Sequence, residues 1–66
     1  MTNTDFEALG LRHGERIWIQ EANGQCNWGK YLEEYDSNSR TFVFGVGGGS
    51  HFRAVVDLAT VQTVER

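Results

Sequence analysis

Hydrophobic and polar residues alternate with a period of two along much of the chain after residue 15. In "ERIWIQ", Ile17 and Ile19 share one face, while Arg16, Trp18 and Gln20 share the other. Alternation of this kind is typical of a β-strand with one buried face. We therefore expect the two isoleucines in the core and the tryptophan outside it.

Turn signals divide the rest of the chain into four further strands. Asn23-Gly24 is a strong hairpin signal, and residues 36–40, "DSNSR", favour a polar turn. Gly29 lies inside the second strand, where a bulge, a bend or a close backbone approach is expected. Five short strands joined by tight turns are typical of small SH3-like or OB-like barrels, and the strand lengths favour the SH3-like class. The four further predicted strands are "CNWGKYLEEY", "TFVFGV", "HFRAVVDL" and "TVQTVE", the last of them anchored by Val61 and Val64.

The N-terminal segment has the one helical pattern in the sequence. Thr4 is followed three residues later by Glu7, which is the spacing of a capping box. Gly10 is a suitable C-terminal stop. We expect a short helix over about residues 4–10, followed by the barrel over about residues 15–65.

Length and cysteine content limit how such a chain can be stabilised. The 66 residues form a single domain, 1–66, and a chain this short buries only about 60% of its unfolded surface. A single cysteine, Cys26, excludes an internal disulfide, and we expect it to be a small packed side chain. Together with His13 and His51 it does not have zinc-site spacing, so no metal or cofactor is expected. Oligomerisation is the remaining means of stabilisation.

Charge and hydropathy bear on whether the chain binds nucleic acid, spans a membrane or is exported. The net charge is -3 and the isoelectric point about 5.1. This balance argues against non-specific nucleic-acid binding, which depends on Lys and Arg side chains meeting phosphates. The sequence has no apolar run of about 20 residues and no recognisable signal peptide, so no membrane span is predicted. We expect a cytoplasmic protein.

The glycine-rich stretch 44–52, "FGVGGGSHF", raises the question of a phosphate-binding loop. Phosphate loops need G-x-x-x-x-G-K-[ST], or G-x-G-x-x-G between a strand and a helix. This stretch has no lysine and leads into a strand, so we expect a hairpin connection. Ser50 and His51 are adjacent and would point to opposite strand faces, as would Glu33 and Glu34. No third orienting group accompanies them, and we predict that the chain is not an enzyme.

Aromatic residues are the other candidates for binding. Exposed Trp18, Trp28, Tyr31 or Tyr35 side chains could stack on bases. Aromatic residues also dominate cores and interfaces, and for Trp18 a subunit interface is the preferred interpretation.

The segment "GERIWIQEANGQCNWGKYLEEYD" resembles the first motif of the Sm and Sm-like proteins, especially bacterial Hfq. The shared pattern is an apolar strand, an Asn-Gly pair, four residues, a glycine, an apolar residue three positions on and an aromatic-Asp pair. The matching residues are Ile17, Ile19, Asn23-Gly24, Gly29, Leu32 and Tyr35-Asp36. The resemblance implies an all-β fold: a small, strongly bent, five-stranded SH3-like (Sm-type) barrel with a short N-terminal helix.

The resemblance also implies a homo-oligomeric ring of six or seven subunits, joined by pairing the fourth strand of one with the fifth strand of the next. Such rings bind single-stranded RNA at a pore or rim. The residues at the corresponding loops are Tyr35, Asp36, Asn38, Arg40 and Arg53. The Lys-His pair with which Hfq contacts RNA is absent, since Phe52-Arg53-Ala54 occupies this region. An ordinary solvated turn, in an SH3-like protein-interaction module without nucleic-acid binding, is the alternative.

Overall fold

The computed structural model describes residues 1–47 and 51–66, which form one five-stranded antiparallel sheet and a short helix. The elements are α1 (Asn3–Ala8), β1 (Arg16–Glu21), β2 (Cys26–Tyr31), β3 (Thr41–Val46), β4 (Arg53–Asp57), a 3-10 turn (Leu58–Thr60) and β5 (Val61–Glu65). The strand order is β4-β3-β2-β1-β5, so β4 and β5 are the two edges of the sheet. The all-β class with a short N-terminal helix is thereby confirmed.

The core lies on the inner face of this sheet and follows the alternation of the sequence. Ile17 and Ile19 are buried, whereas the Trp18 side chain between them is 43% exposed, as predicted. Burial of each large apolar side chain contributes roughly 1.5–3 kcal/mol. The buried set is Phe6, Ile17, Ile19, Tyr31, Leu32, Phe42, Phe44, Leu58, Val61 and Val64.

The hairpin between β1 and β2 lies where the Asn-Gly pair predicts it. The Glu21 N–H donates to the Gln25 carbonyl at 2.8 Å, which leaves a three-residue loop. Within it, Gly24 has a φ of +90°, a value that glycine adopts without steric cost. A turn followed by a residue of positive φ is a common three-residue hairpin. The Asn23 side chain supports it by accepting from the Gln25 N–H at 2.9 Å.

Gly29 marks a close approach of β2 and β3. A Cβ atom added there would overlap the Gly45 carbonyl oxygen and would lie 2.7 Å from Cζ of Phe44. No side chain fits in this space. The expected close backbone approach is therefore confirmed.

The prediction that β2 continues to Tyr35 is wrong, because the strand ends at Tyr31. Glu33 and Glu34 follow with φ values of +64° and +53°, outside the range of a strand. The Glu33 carbonyl nevertheless accepts from the Val43 N–H at 3.0 Å, so the chain stays beside β3 while it turns. The two glutamates therefore do not alternate across a strand.

Other boundaries also differ from the sequence prediction. Helix α1 is capped by Thr2 rather than Thr4: the Thr2 hydroxyl accepts from the Asp5 N–H at 3.0 Å. This start places Phe6 over the sheet, with its ring centroid 4.8 Å from that of Phe42. The helix ends at Ala8, not at Gly10, although Gly10 has a φ of +59°.

Strand β4 begins at Arg53, so His51 and Phe52 precede it. Cys26 is exposed rather than packed, because it lies on the outward face of β2. Strands β3 and β4 pair antiparallel on the two sides of the glycine-rich stretch, of which Gly48, Gly49 and Ser50 lie outside the described residues.

Among the described residues, no helix has both the length and the apolar composition that a membrane span requires.

Candidate binding site

Asp36 and Asn38, two of the predicted RNA-binding residues, lie in the turn between β2 and β3. Two backbone hydrogen bonds between Asp36 and Thr41, of 2.9 and 3.2 Å, close the turn. One carboxylate oxygen of Asp36 accepts from the Asn38 N–H at 2.8 Å and is 3.4 Å from the Ser39 nitrogen. The Asp36 carboxylate thus organises its own turn, and the exposed Asn38 side chain lies at the surface.

Arg40 ends this turn and joins it to two distant segments. Its φ is +59°, and its guanidinium donates to the Met1 carbonyl at 2.9 Å. Its own carbonyl accepts from the Leu58 N–H at 2.8 Å. In this isolated chain Arg40 therefore has a structural role as well as an exposed charge.

Tyr35 stands at the base of the turn and faces α1. Its hydroxyl donates to Oε2 of Glu7 at 2.7 Å, and its ring centroid is 5.0 Å from that of Phe6. Partial burial, followed by the hydrogen bond to the Glu7 carboxylate, raises the pKa of Tyr35 to about 12. The phenol therefore stays neutral at physiological pH and fixes the helix against the turn.

Arg53, the fifth predicted residue, lies at the other end of the β3–β4 hairpin. It pairs with Gly45, whereas Asp57 pairs with Thr41 beside the turn. Four residues of strand span about 13 Å. The guanidinium of Arg53 is 3.5 Å from Oε2 of Glu34, and both side chains are exposed. The structure thus brings Asp36, Asn38 and Arg40 together in one turn and leaves Arg53 apart from them.

A second candidate surface lies on the outer face of the β1–β2 hairpin, and we call Arg16, Trp18, Trp28 and Lys30 the tryptophan face. Trp18 and Trp28 are cross-strand partners, with ring centroids 6.3 Å apart and an interplanar angle of 44°. Their side chains are 43% and 39% exposed. Arg16 pairs with Lys30 across the same two strands, and its Cζ atom lies 5.1 Å from the Trp28 ring centroid. Aromatic rings and cations here share one exposed patch.

The charges of the tryptophan face are not neutralised within the described residues. The ion pairs found there join Arg53 to Glu34, and Arg66 to Glu15 at 2.5 Å. Arg16 and Lys30 have no such partner in the described part of the chain. Sequence reasoning identified the tryptophans and placed Arg16 on the face of Trp18, but it named neither Arg16 nor Lys30 as a binding residue. The signal was available, since each cation lies two residues from a tryptophan on the same strand and therefore shares its face.

The β4 edge carries a third feature, two exposed apolar side chains. Phe52 and Val55 are 75% and 73% exposed. A cleft of about 140 Å³ opens on the inner face of the sheet, and Ala54 and Val56 of β4 are among the residues that line it. Exposed apolar surface next to an unpaired strand edge is typical of an interaction surface. The cleft is lined by Ile19, Glu21, Asn27, Phe44, Val46, Ala54 and Val56.

Within the described residues, no group of three or more His, Cys, Asp and Glu side chains is arranged to hold a metal ion. Comparisons of the chain with protein-family models, with curated proteins and with solved structures found no match. Function is therefore proposed from the geometry of the turn, the tryptophan face and the β4 edge, together with the sequence motif.

Proposed function

We propose that this chain is an Sm-like protein that assembles into a homo-oligomeric ring and binds single-stranded RNA in the cytoplasm. The observation that supports the assembly is the strand order β4-β3-β2-β1-β5, which leaves β4 and β5 as the free edges of one sheet. In this proposal the sheet is an SH3-like barrel of the Sm type, and β4 of one subunit pairs with β5 of the next.

The β4 edge supports this assembly in two ways. Its backbone groups facing away from β3 have no strand partner among the described residues. Its exposed Phe52 and Val55 would leave water on pairing, at about 25 cal/mol for each Å² buried. A six- or seven-membered ring closes every such edge, and oligomerisation is one way in which chains as short as 66 residues gain stability.

RNA binding in this proposal uses the turn residues Asp36, Asn38 and Arg40, with Tyr35 beneath them and Arg53 from the neighbouring hairpin. Ring symmetry would repeat this set around a pore, so that the two exposed Arg side chains of each subunit, Arg40 and Arg53, become rings of positive charge. Repetition supplies the multiple cation–phosphate contacts that one acidic chain does not. The Asn38 amide offers both a donor and an acceptor to a base edge.

Native mass spectrometry with and without short U-rich or A-rich oligonucleotides tests both parts of the proposal. We expect a single closed oligomer of 7.5 kDa subunits that gains the mass of bound RNA at low salt. A monomer in dilute solution would refute the ring. An intact ring that binds neither oligonucleotide would refute RNA binding alone.

An SH3-like protein-interaction module is the second candidate, favoured by the net charge of -3 and by the exposed Trp18 and Trp28. Tryptophan is enriched at protein interfaces. Capture of a defined protein partner that survives nuclease treatment would support it. Loss of that partner on nuclease treatment would count against it.

A further inference from the structure

The tryptophan face holds two like charges directly opposite each other. Hydrogen bonds from Glu21 to Gln25 and from Tyr31 to Glu15, both 2.8 Å, set the alternation of the β1–β2 ladder. They place the Arg16–Lys30 pair at a non-hydrogen-bonded position, where opposed side chains approach most closely. Like charges at such a position destabilise a hairpin. An anion bound between the two cations would relieve this repulsion.

The same face is organised to receive a ligand beside that anion. The Arg16 guanidinium lies over the Trp28 ring, a cation–π contact that fixes the charge and leaves its N–H groups free. Neither Arg16 nor Lys30 makes a side-chain hydrogen bond within the described residues. Trp18 and Trp28 together offer a rigid aromatic surface. Tryptophan is one of the residue types that are enriched at binding hot spots.

We propose that the tryptophan face docks a peptide segment of a partner protein in which an Asp or Glu side chain is followed by apolar residues. The carboxylate binds between Arg16 and Lys30, and the apolar residues pack on Trp18 and Trp28. This surface lies on the interior strands β1 and β2, away from the β2–β3 turn and from the edge groups that pair in the proposed ring, so docking does not depend on RNA binding or on the ring.

The charge pattern favours such a peptide over a nucleic acid. Glu65 pairs with Trp18 from β5 and therefore lies on the same face, directly beside the aromatic surface. A phosphate chain crossing the tryptophans would meet this carboxylate, and the chain as a whole is acidic. Nucleic-acid affinity depends on several phosphate contacts, and this face has two cations. A peptide with one carboxylate and an apolar continuation matches the pattern without that repulsion.

A random peptide library displayed on phage, selected on the 66-residue chain, tests the proposal. We expect the selected peptides to combine Asp or Glu with apolar residues. Trp18 and Trp28 are the two tryptophans of the chain, so their fluorescence and indole N–H resonances report on this face directly. Peptides selected without Asp or Glu, or peptides that leave both indole signals unchanged, would overturn the proposal.

Charge variants test the role of the cations without disturbing the aromatic pair. Lys30→Gln is expected to weaken the selected peptides by about tenfold, because a charge-assisted contact is lost. Arg12→Gln removes the same charge from an exposed site outside the face and is expected to leave affinity unchanged. Thermal unfolding should show that both variants remain folded. Equal weakening by the two variants, or a larger indole response to a U-rich oligonucleotide than to the peptides, would overturn the proposal.

Discussion

At the scale of single residues, backbone conformation separates positions that tolerate change from positions that do not. Gly29 and Gly24 illustrate the difference. Gly29 has no room for a side chain, whereas Gly24 has open space around it and a φ of +90°. Substitution by alanine therefore causes a steric clash at Gly29, whereas at Gly24 it requires only an unfavourable backbone conformation.

We expect Gly29→Ala to lower the free energy of unfolding by about 3 kcal/mol, since the new methyl group overlaps Gly45 and Phe44 and the strands must separate. Gly24→Ala is the matched control. Its cost should be about 1 kcal/mol, the penalty of a left-handed backbone for alanine. Urea unfolding measures both, and an equal or smaller loss for Gly29→Ala would contradict the close packing of β2 and β3.

Glu33 provides a prediction of the opposite sign. Its φ of +64° is costly for a residue with a Cβ atom, by about 1–2 kcal/mol. Glycine removes this cost but adds backbone entropy to the unfolded chain. We expect Glu33→Gly to stabilise the fold by about 0.5 kcal/mol in urea unfolding. Glu65→Gly, made in strand β5, should destabilise it by a similar amount, and a loss at both sites would argue against strain at Glu33.

At the scale of elements, local sequence predicts the strands better than it predicts their ends. Alternation located β1, turn signals located the other four strands, and β3 has the predicted bounds. The end of β2 was missed because the chain turns at Glu33 and Glu34, where the sequence has no typical turn residue such as Gly or Asn. The start of α1 was missed because Thr2 and Thr4 are both good caps. Packing of Phe6 against the sheet, which no local pattern encodes, accompanies the choice of Thr2.

The position of the candidate site could be predicted from the sequence, but the hydrogen-bond partners of its side chains could not. The polar run 36–40 identified the turn. The partners of its side chains lie far away in sequence: Arg40 binds Met1, 39 residues away, and Tyr35 binds Glu7, 28 residues away. Contacts of this range arise from the way α1 packs on the sheet. Sequence alone could not indicate that these two side chains are already engaged.

Glu15 takes part in contacts that connect three elements, and its lowered pKa makes the stability of the fold depend on pH. A hydrogen bond from the Arg12 N–H, and then the Arg66 guanidinium, lower the pKa of Glu15 below its usual value of 4.5. Arg66 also donates to the Leu9 carbonyl at 2.5 Å, so the ion pair joins β1, the end of β5 and the end of α1. A lowered pKa means that this stabilisation is present above pH 4.5 and is lost as the pH falls through the folded-state pKa.

We therefore expect Glu15→Gln to be less stable than the parent chain at neutral pH, with the difference shrinking as the pH falls below about 4.5. Thermal unfolding followed by circular dichroism across this range measures it. Glu65→Gln, a change at an exposed carboxylate of β5, is the control for general charge effects. A difference between the parent and Glu15→Gln that stays constant with pH would show that the ionised carboxylate does not contribute.

At the scale of the whole molecule, the chain is a monomer or an assembly according to whether the two edge strands, β4 and β5, pair with other copies. The direction of the β4 backbone groups follows from the ladder. Phe52 accepts from the Val46 N–H at 2.9 Å, while Val43 bonds to Leu32 and Glu33 on the other side of β3. In an antiparallel ladder these bonds alternate. Ala54 and Val56 therefore bond to β3, and the Val55 N–H points to the free edge.

Val55→Pro is the sharpest test of assembly through this edge. Proline removes the one N–H at position 55, which makes no bond to β3, and edge strands tolerate it for this reason. We expect the folded chain to persist while the oligomer dissociates to 7.5 kDa monomers in light scattering. Val55→Thr keeps both the N–H and the β-branched shape, and it should remain assembled. If Val55→Pro assembled as the parent chain does, pairing through β4 would be excluded, and the exposed Phe52 and Val55 would require another partner.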